Sequence, residues 1–580
     1  MQIVRQFCLA IFVFALCALP LFAQTQSQPA AAQTAPNDLK QLFDQRQWDE
    51  ILRRIPSTQN QSPDADYYRG MALAALRRYD EASAAFLAGQ QLAPRDIRFP
   101  EELAGVAFQT KNYAAAKRHL RRAIRLSPHD YYSTNFLATI YFLDGNLDAA
   151  LKYWNRTGKP IVDDLTFSPP PRLTPSLLDH TFPFSLHTQW TLAQLQSARA
   201  RADALQLFLR YRFDLQARPD GDFDLSFDFF PRPRFAPTHI ATWLQFLRGL
   251  PYLTIYPSFY DLNDEARNVE TLYRWDKEKR RLAMSFESPW RDHPEALYKI
   301  YFDARNENWD VSHTLFPSAA RPFPPAAFNL EKLQTGLEFH FTQNGKLTWT
   351  TNLDYTIRRY RYILGGASTL PLSSSPTHPL FPNASALEYR ARADYLLLSL
   401  PEHRFTLTSA LEASAGKTFA DGLGTFATYR GDVRSDWLPQ SRGDDYRFQW
   451  RVRSGGISGN VPFDRLNILG FERDNDLWLR AHIGTADGKK GSAPIGRDFL
   501  LSNAELDKNL YSNGVITVKA GPFLDTGKVT AYEGLFGSQK WLWDTGLQTK
   551  IGVLGLVQVV LVYGKDLRNG NNTFYGTALQ

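Results

Sequence analysis

Sulfur is nearly absent from this 580-residue chain, which has two cysteines and three methionines. Both cysteines, Cys8 and Cys17, lie in the first 23 residues. That segment reads as a secretory signal, with Arg5 as its positive start, Phe7 to Leu19 as its apolar stretch and Ala23–Gln24 as the cleavage point. Leu21 stands three residues before the cut, where Ala is usual, so a retained N-terminal anchor is the alternative. Phe14-Ala15-Leu16 before Cys17 is not a lipoprotein pattern. A cleaved chain carries no thiol, which excludes disulfides, zinc–thiolate sites and cysteine catalysis together. No other long apolar run exists, so a bundle of membrane-crossing helices is excluded. An excess of one charge is also missing: 66 Lys and Arg against 59 Asp and Glu leave +7, or +6 without Arg5, which gives no case for nucleic-acid binding.

What is abundant is aromatic surface. The chain has 40 Phe, 26 Tyr and 13 Trp, yet its mean hydropathy is only −0.36. Alternating strands with aromatic girdles combine these two properties, because their polar and apolar faces average out. The length calls for at least two folding units.

Residues 24–37 are rich in Gln, Ala, Pro and Thr without apolar period and read as a flexible linker. Over 38–160 the pattern is helical and repeats. Ala82, Ala116 and Ala150 are 34 residues apart, as are Phe86, Leu120 and Trp154, while Pro94 and Pro128 keep the same spacing. A small Ala on the second helix, a bulky residue four later and a closing Pro form the tetratricopeptide pattern. Each helix pair leaves an apolar face that the next covers, and the Ala permits the close approach. Gln47-Trp48-Asp49-Glu50 imitates Arg78-Tyr79-Asp80-Glu81 at a spacing of 31, as a divergent capping repeat would. Such an array offers a concave surface to a partner; the plainer alternative is a spacer.

Residues 161–171 are Pro-rich and read as a boundary. Within 161–235 a helix over Trp190–Leu205 precedes two alternating strands joined by Pro219-Asp220-Gly221, a small α+β module. Over 236–580 period-two alternation dominates. Leu347, Trp349, Leu353, Tyr355 and Ile357 oppose Lys346, Asn352, Asp354 and Arg358, and Tyr446, Phe448, Trp450 and Val452 oppose Arg447, Gln449, Arg451 and Arg453. Strands of about ten residues or more suit a tilted bilayer crossing, and roughly 14 to 16 of them suit an outer-membrane barrel of about 16 strands. Closure also removes the exposed edges. A soluble sandwich is the alternative. The fold class expected is therefore a helical solenoid, an α+β module and an antiparallel transmembrane β-barrel.

The segment Arg218 to Phe230 resembles the last hairpin of a polypeptide-transport-associated (POTRA) domain. Gly521-Pro-Phe-Leu-Asp-Thr-Gly527, Trp543-Asp544-Thr545-Gly546-Leu547 and Tyr563-Gly-Lys-Asp-Leu-Arg568 resemble the late strands of the BamA-like outer-membrane assembly-factor superfamily. The resemblance implies insertion or secretion of client polypeptides, captured by periplasmic domains. It also implies a lumen loop with a Val-Arg-Gly-Phe type motif whose Arg docks on acidic wall residues. The stretch matched to that motif is Ile468-Leu469-Gly470-Phe471, with Leu469 in the Arg position, so Arg473 or Arg480 is left to supply the charge, with Asp525 as candidate acceptor. The alternative for Asp525 is a strand-end carboxylate facing water. The chain departs from the family again in ending Thr577-Ala578-Leu579-Gln580 instead of on an aromatic, and in placing helical repeats where relatives carry serial POTRA domains.

No phosphate-binding glycine loop, zinc motif or nucleophile elbow occurs, and the 11 histidines show no ligand spacing, each expected in solvent or on a strand face. No catalytic site, metal or cofactor is expected, and no enzymatic activity. The reading is an outer-membrane protein with periplasmic N-terminal domains that handles client polypeptides, with outer-membrane lipids, lipopolysaccharide and periplasmic accessory proteins as further partners. The alternatives are a polysaccharide exporter, favoured by the basic faces at Arg390, Arg392, Arg447, Arg451 and Arg453 but weakened by Glu388 and Asp394, and a plugged structural barrel.

Overall fold

A computed structural model describes residues 36–55, 62–232, 249, 252–315, 326–363, 369–371, 380–420, 423–440, 445–530, 535–538, 540–554 and 557–579. The segment read as a signal and nearly all of the linker lie outside them. The chain forms two units, one ending at Ser133 and one starting at Thr134, a division that falls within the helix Tyr131–Leu143.

The first unit is a run of helices: Pro36–Asp44, Trp48–Arg54, Pro63–Ala75, Tyr79–Leu92, Arg98–Gln109 and Tyr113–Leu126. The Ser62 hydroxyl caps the third by accepting from Ala65 N at 3.2 Å, and Asn112 caps the sixth by accepting from Ala115 N at 3.1 Å. Along the chain, Arg77, Lys111 and Gly145 have φ of 61°, 58° and 67° in the turns between paired helices, 34 residues apart, and Arg46 (57°) precedes Arg77 by the 31 residues of the divergent repeat. Pro94 and Pro128 stand exposed just beyond the helix ends, where the missing N–H and fixed φ stop the turn. Ala82, Phe86, Ala116, Leu120 and Ala150 are fully buried, and Trp154 nearly so. Gly70 lies under the Phe86 ring; a Cβ there would come within 2.4 Å of it.

In the second unit, strand β1 (Ile161–Ser168), helices Pro175–Thr181 and Leu192–Leu205, and strands β2 (Phe208–Ala217) and β3 (Phe223–Pro231) form the α+β module. The sheet order is Thr188–Gln189, β1, β3, β2, with β1 parallel to β3 through Leu165↔Leu225 and Phe167↔Phe227. The segment read as a Pro-rich boundary thus carries the first strand of the module. A register shift between Val162 and Asp164 interrupts the alternation of buried Val162 with Leu165 and Phe167, so β1 shows no visible period, and its place is set by a partner some sixty residues away. Phe167, Phe182, Phe213 and Phe227 meet edge to face or tilted, with centroids 4.7 to 6.2 Å apart, in its core.

A closed barrel follows. Its strands are β4 (Ser258–Leu262), β5 (Arg267–Trp275), β6 (Lys279–Trp290), β7 (His293–Asp310), β8 (Ala327–Thr342), β9 (Leu347–Ile363), β10 (Ser385–Leu400), β11 (Phe405–Ala420), β12 (Leu423–Trp437), β13 (Tyr446–Gly459), β14 (Phe499–Ser512), β15 (Ile516–Val529), β16 (Leu542–Val553), β17 (Val557–Asp566) and β18 (Asn572–Leu579), with shorter fragments between. The ring closes between β18 and the two-residue strand Thr254–Ile255. On β9, Trp349, Leu353 and Tyr355 point outward and are exposed, whereas Asn352, Asp354, Thr356 and Arg358 point inward and are buried. The same alternation recurs around the ring, so a continuous apolar surface faces out and a charged one faces in.

The short turns of the barrel meet the module. Leu177, Leu205 and Leu207 pack on Ala266 and Leu297, Asn268 donates to the Leu205 carbonyl at 3.0 Å, and Asn146 donates to the Pro401 carbonyl at 2.8 Å. At the other end an apolar cluster of Trp309, Phe328, Tyr360, Phe381, Phe463 and Phe536 packs between the long loops.

Gly70→Ala raises intrinsic helix propensity by up to about 1 kcal/mol, yet it is expected to lower the unfolding temperature of the helical unit, followed by circular dichroism at 222 nm in the full chain. A rise would mean that the Phe86 ring swings clear at no cost.

Candidate functional site: a loop folded into the barrel

The 39 residues between β13 and β14, 460–498, turn back into the lumen. Their neck is a two-residue pairing of Asn467–Ile468 with Ile495–Gly496. Beyond it Leu469 N donates to the Pro494 carbonyl, Gly470 N to Leu477 and Phe471 N to His482, at 2.7 to 2.9 Å. The Asn475 amide ties the tip by donating to the carbonyls of Ile468 and Gly470 at 2.8 and 2.9 Å.

The matched stretch Ile468-Leu469-Gly470-Phe471 is structural. Leu469 is fully buried among Leu477, Leu479, Phe499, Leu501 and Val529 and approaches no wall carboxylate. The docking guanidinium is that of Arg480. Its Nε and Nη2 donate to the two Asp525 oxygens at 2.8 and 2.7 Å, and Nη1 donates to Glu505 Oε2 and Gln548 Oε1, each at 2.8 Å. Arg480 N adds a bond to Asp525 at 3.1 Å. Asp525 has no exposed surface, which removes the reading of a strand-end carboxylate in water.

The wall is shaped for this contact. The Arg480 guanidinium lies 4.0 Å over the Phe523 ring, and that ring lies flat because Gly546 on β16 offers no Cβ; one there would sit 2.9 Å from it. Gly564 on β17 likewise faces the Arg480 carbonyl and Ala481 Cα, leaving room for the loop backbone. The spacing Phe523-x-Asp525 on one strand and Asp544-x-Gly546 on the next is therefore one platform.

Ala481 N donates to Asp544 at 2.7 Å, and His482 stands between two buried carboxylates, with Nδ1 3.0 Å from Asp544 and Nε2 3.6 Å from Asp566. The expectation that every histidine sits in solvent or on a strand face fails here, because nothing local in Arg480-Ala481-His482 marks the two aspartates that the barrel brings together. The trio could hold a cation, but the carboxylates lie on opposite ring nitrogens, which suits a doubly protonated imidazole better than a shared ion. Burial disfavours the charged ring, but the Asp544 hydrogen bond and the two negative charges prevail, and the His482 pKa is raised.

Two further anchors hold the loop elsewhere on the wall. Asp464 accepts from Arg358 at 2.6 Å, and Arg465 pairs with Glu388. Asp474 pairs with Arg274 at 2.9 Å, Arg281 at 2.7 Å and Lys490 at 3.1 Å, and Lys490 reaches Glu307 at 2.8 Å. Arg473 does not meet Asp525. It donates to the Tyr256 hydroxyl at 2.7 Å and lies 3.8 Å over the Tyr252 ring, while Phe471 stacks on Tyr575 of β18 at 3.9 Å. Tyr252 in turn donates to the Gly576 carbonyl of β18. Positions 471 and 473 thus hold opposite sides of the line where the ring closes. Ala82, Phe86, Pro94, Ala116, Leu120, Pro128, Ala150 and Trp154 take no part in this site; they lie in the helical repeats.

No family model matches this sequence, and no curated protein matches it. Among solved structures it is similar to CdiB from Escherichia coli, at 13% identity over 73% of this chain and 77% of that one, with a TM-score of 0.46. CdiB from Acinetobacter baumannii matches at 11% over 74% and 81% with a TM-score of 0.42, and BamA from Haemophilus ducreyi lacking POTRA domains 1-3 at 10% over 72% and 85% with a TM-score of 0.39.

Arg480→Ala leaves Asp525 buried without its cation and is expected to cost about 3–5 kcal/mol, read as a lower temperature at which the unboiled protein loses its compact gel migration. His482 should add a pH step. Its raised pKa means a contribution fully present below about pH 6.5 and lost as pH rises through the elevated value, so unfolding temperature should fall over that window and His482→Gln should abolish the step.

Proposed function

We propose that this chain is an outer-membrane barrel protein that assembles or secretes client polypeptides, using periplasmic helical repeats and a POTRA-like module to collect them. One observation carries the reading: the barrel is filled by its own loop, docked through Arg480 on Asp525 and gripping both sides of the closing line. A passive structural barrel has no use for a plug tied to its seam.

The route suggested by the geometry begins at the module. Strand β2 is an edge; among the described residues its one partner strand is β3. Beside Tyr211–Asp214 a cavity of about 1080 Å³ opens, bounded also by Pro401, Arg404 and Leu438 from the barrel turns. An extended client segment could add to β2 by main-chain pairing and be presented to the barrel mouth. The outward apolar surface, with Trp349, Tyr389, Tyr429 and Trp450 exposed on it, fits a bilayer and lipopolysaccharide, since soluble surfaces seldom carry so large an apolar area. Polysaccharide export is the weaker reading, because Arg392 pairs with Asp394, Arg447 with Asp436 and Arg451 with Asp432, and of these basic faces Arg453 keeps no close carboxylate. The chemistry is binding and passage, without bond making.

In a strain lacking the gene, the outer-membrane and secreted protein profiles should lose specific members while surface glycan is unchanged. Loss of glycan with an intact protein profile would overturn the reading.

A further inference from the structure

The inward wall of the barrel is a lattice of charge pairs, and Arg453 fits it poorly. Arg447 is held by Asp436 and Arg451 by Asp432, Lys550 by Glu505 and Asp507 at 2.5 and 2.6 Å, and Arg480 by Asp525. Arg453, next inward-facing residue after Arg451 on β13, differs. It is 3% exposed, yet its Nη2 donates to the Asn503 amide oxygen at 2.6 Å, its Nη1 to the Asp476 backbone carbonyl, and its Nε to nothing. Among the described residues its nearest carboxylate oxygen belongs to Asp476, at 3.9 Å, on a half-exposed side chain that Arg430 already holds at 2.8 Å. A guanidinium cannot escape burial by giving up its proton, and neutral oxygens compensate its charge poorly.

This group borders a cavity of about 390 Å³ beneath the loop, on the side toward the module, whose lining includes Arg434, Gln449, Arg451, Arg453, Trp478 and Lys550. Arg434 is also underpaired: its carboxylate neighbour, Asp436 at 3.8 Å, is bound by Arg447. Arg451 and Arg453 are two residues apart on one strand face, about 7 Å by strand rise, and both border this space. Glu505 and Asp476 reach the lining too, but Lys550 and Arg480 neutralise the first and Arg430 holds the second.

We propose that this cavity is an oxyanion-binding site headed by Arg453, with Arg434 and Arg451 beside it, that takes a carboxylate or phosphate group. Forked N–H donors match such groups bidentately. The volume admits a side chain or a small dicarboxylate, so the oxyanion could be a free solute or an acidic residue of a polypeptide inside the barrel. The site rests on the geometry of the wall and loop and does not depend on the client-handling reading.

The test uses the full chain in detergent, titrated at constant ionic strength with inorganic phosphate, with succinate, and with a short Glu-containing peptide beside its Gln counterpart, followed by calorimetry. Wild type should bind at least one of these saturably, and Arg453→Gln should weaken that binding at least tenfold while keeping heat-modifiable migration. Binding of succinate or phosphate without the Glu peptide assigns a free solute; preference for the Glu over the Gln peptide assigns a polypeptide. Should Arg453→Gln fail to fold, the half-exposed Arg434→Gln is expected to reduce affinity at least threefold. Absence of binding by wild type at millimolar concentration overturns the proposal, as does unchanged affinity in Arg434→Gln, or in a folded Arg453→Gln.

Discussion

A guanidinium and a carboxylate, both out of contact with bulk water, set the terms for the rest of the barrel interior. Arg480 and Asp525 tolerate desolvation only as a pair with nearly every donor and lone pair used. That requirement accounts for Glu505 and Gln548 at the remaining donors, for the flat Phe523 ring, and for glycines at 546 and 564 where any Cβ would lift the loop away. It also accounts for the neighbouring aspartates: Asp544 and Asp566 are buried on adjacent strands and take their compensation from Ala481 N and His482.

The wall around this pair follows the same rule at larger scale. Cross-strand or next-but-one partners such as Arg281–Asp303–Arg305 and Arg451–Asp432 cancel locally, so the lumen is densely charged without being a strong field of one sign. Local cancellation favours a loop that is itself alternately charged, and Asp464-Arg465, Arg473-Asp474 and Arg480 are what it presents. A uniformly basic channel would have repelled the three arginines among these five residues.

Much of this was legible in the chain and some was not, for identifiable reasons. The helices were legible because apolar residues recur at helical spacing over 38–160, and the barrel was legible because inward and outward faces demand opposite chemistry and so enforce strict alternation. Arg480 and Asp525 were both candidates because the resemblance of the late strands implies a loop arginine docked on a wall carboxylate. Their partnership was not written locally, and the four-residue match at Ile468–Phe471 drew attention to Leu469, which packs in an apolar cluster instead. Strand β1 was hidden by Asp163 and Asp164 and by the prolines after it. The role of His482 could not be read at all, because Asp544 and Asp566 are more than sixty residues away in sequence.

The way the loop is fastened bears on the order in which the molecule can be built. Asp474 needs Arg274 and Arg281 from the earliest strands, Asp464 needs Arg358 from the middle, and Arg480 needs Asp525 from the last third. These contacts have very high sequence separation, and none of the three anchors can form on a partial sheet lacking its own wall. Complete seating of the loop therefore needs all three walls in register, and a barrel of wrong register would present its carboxylates and guanidinium groups one position out and leave the loop unable to seat.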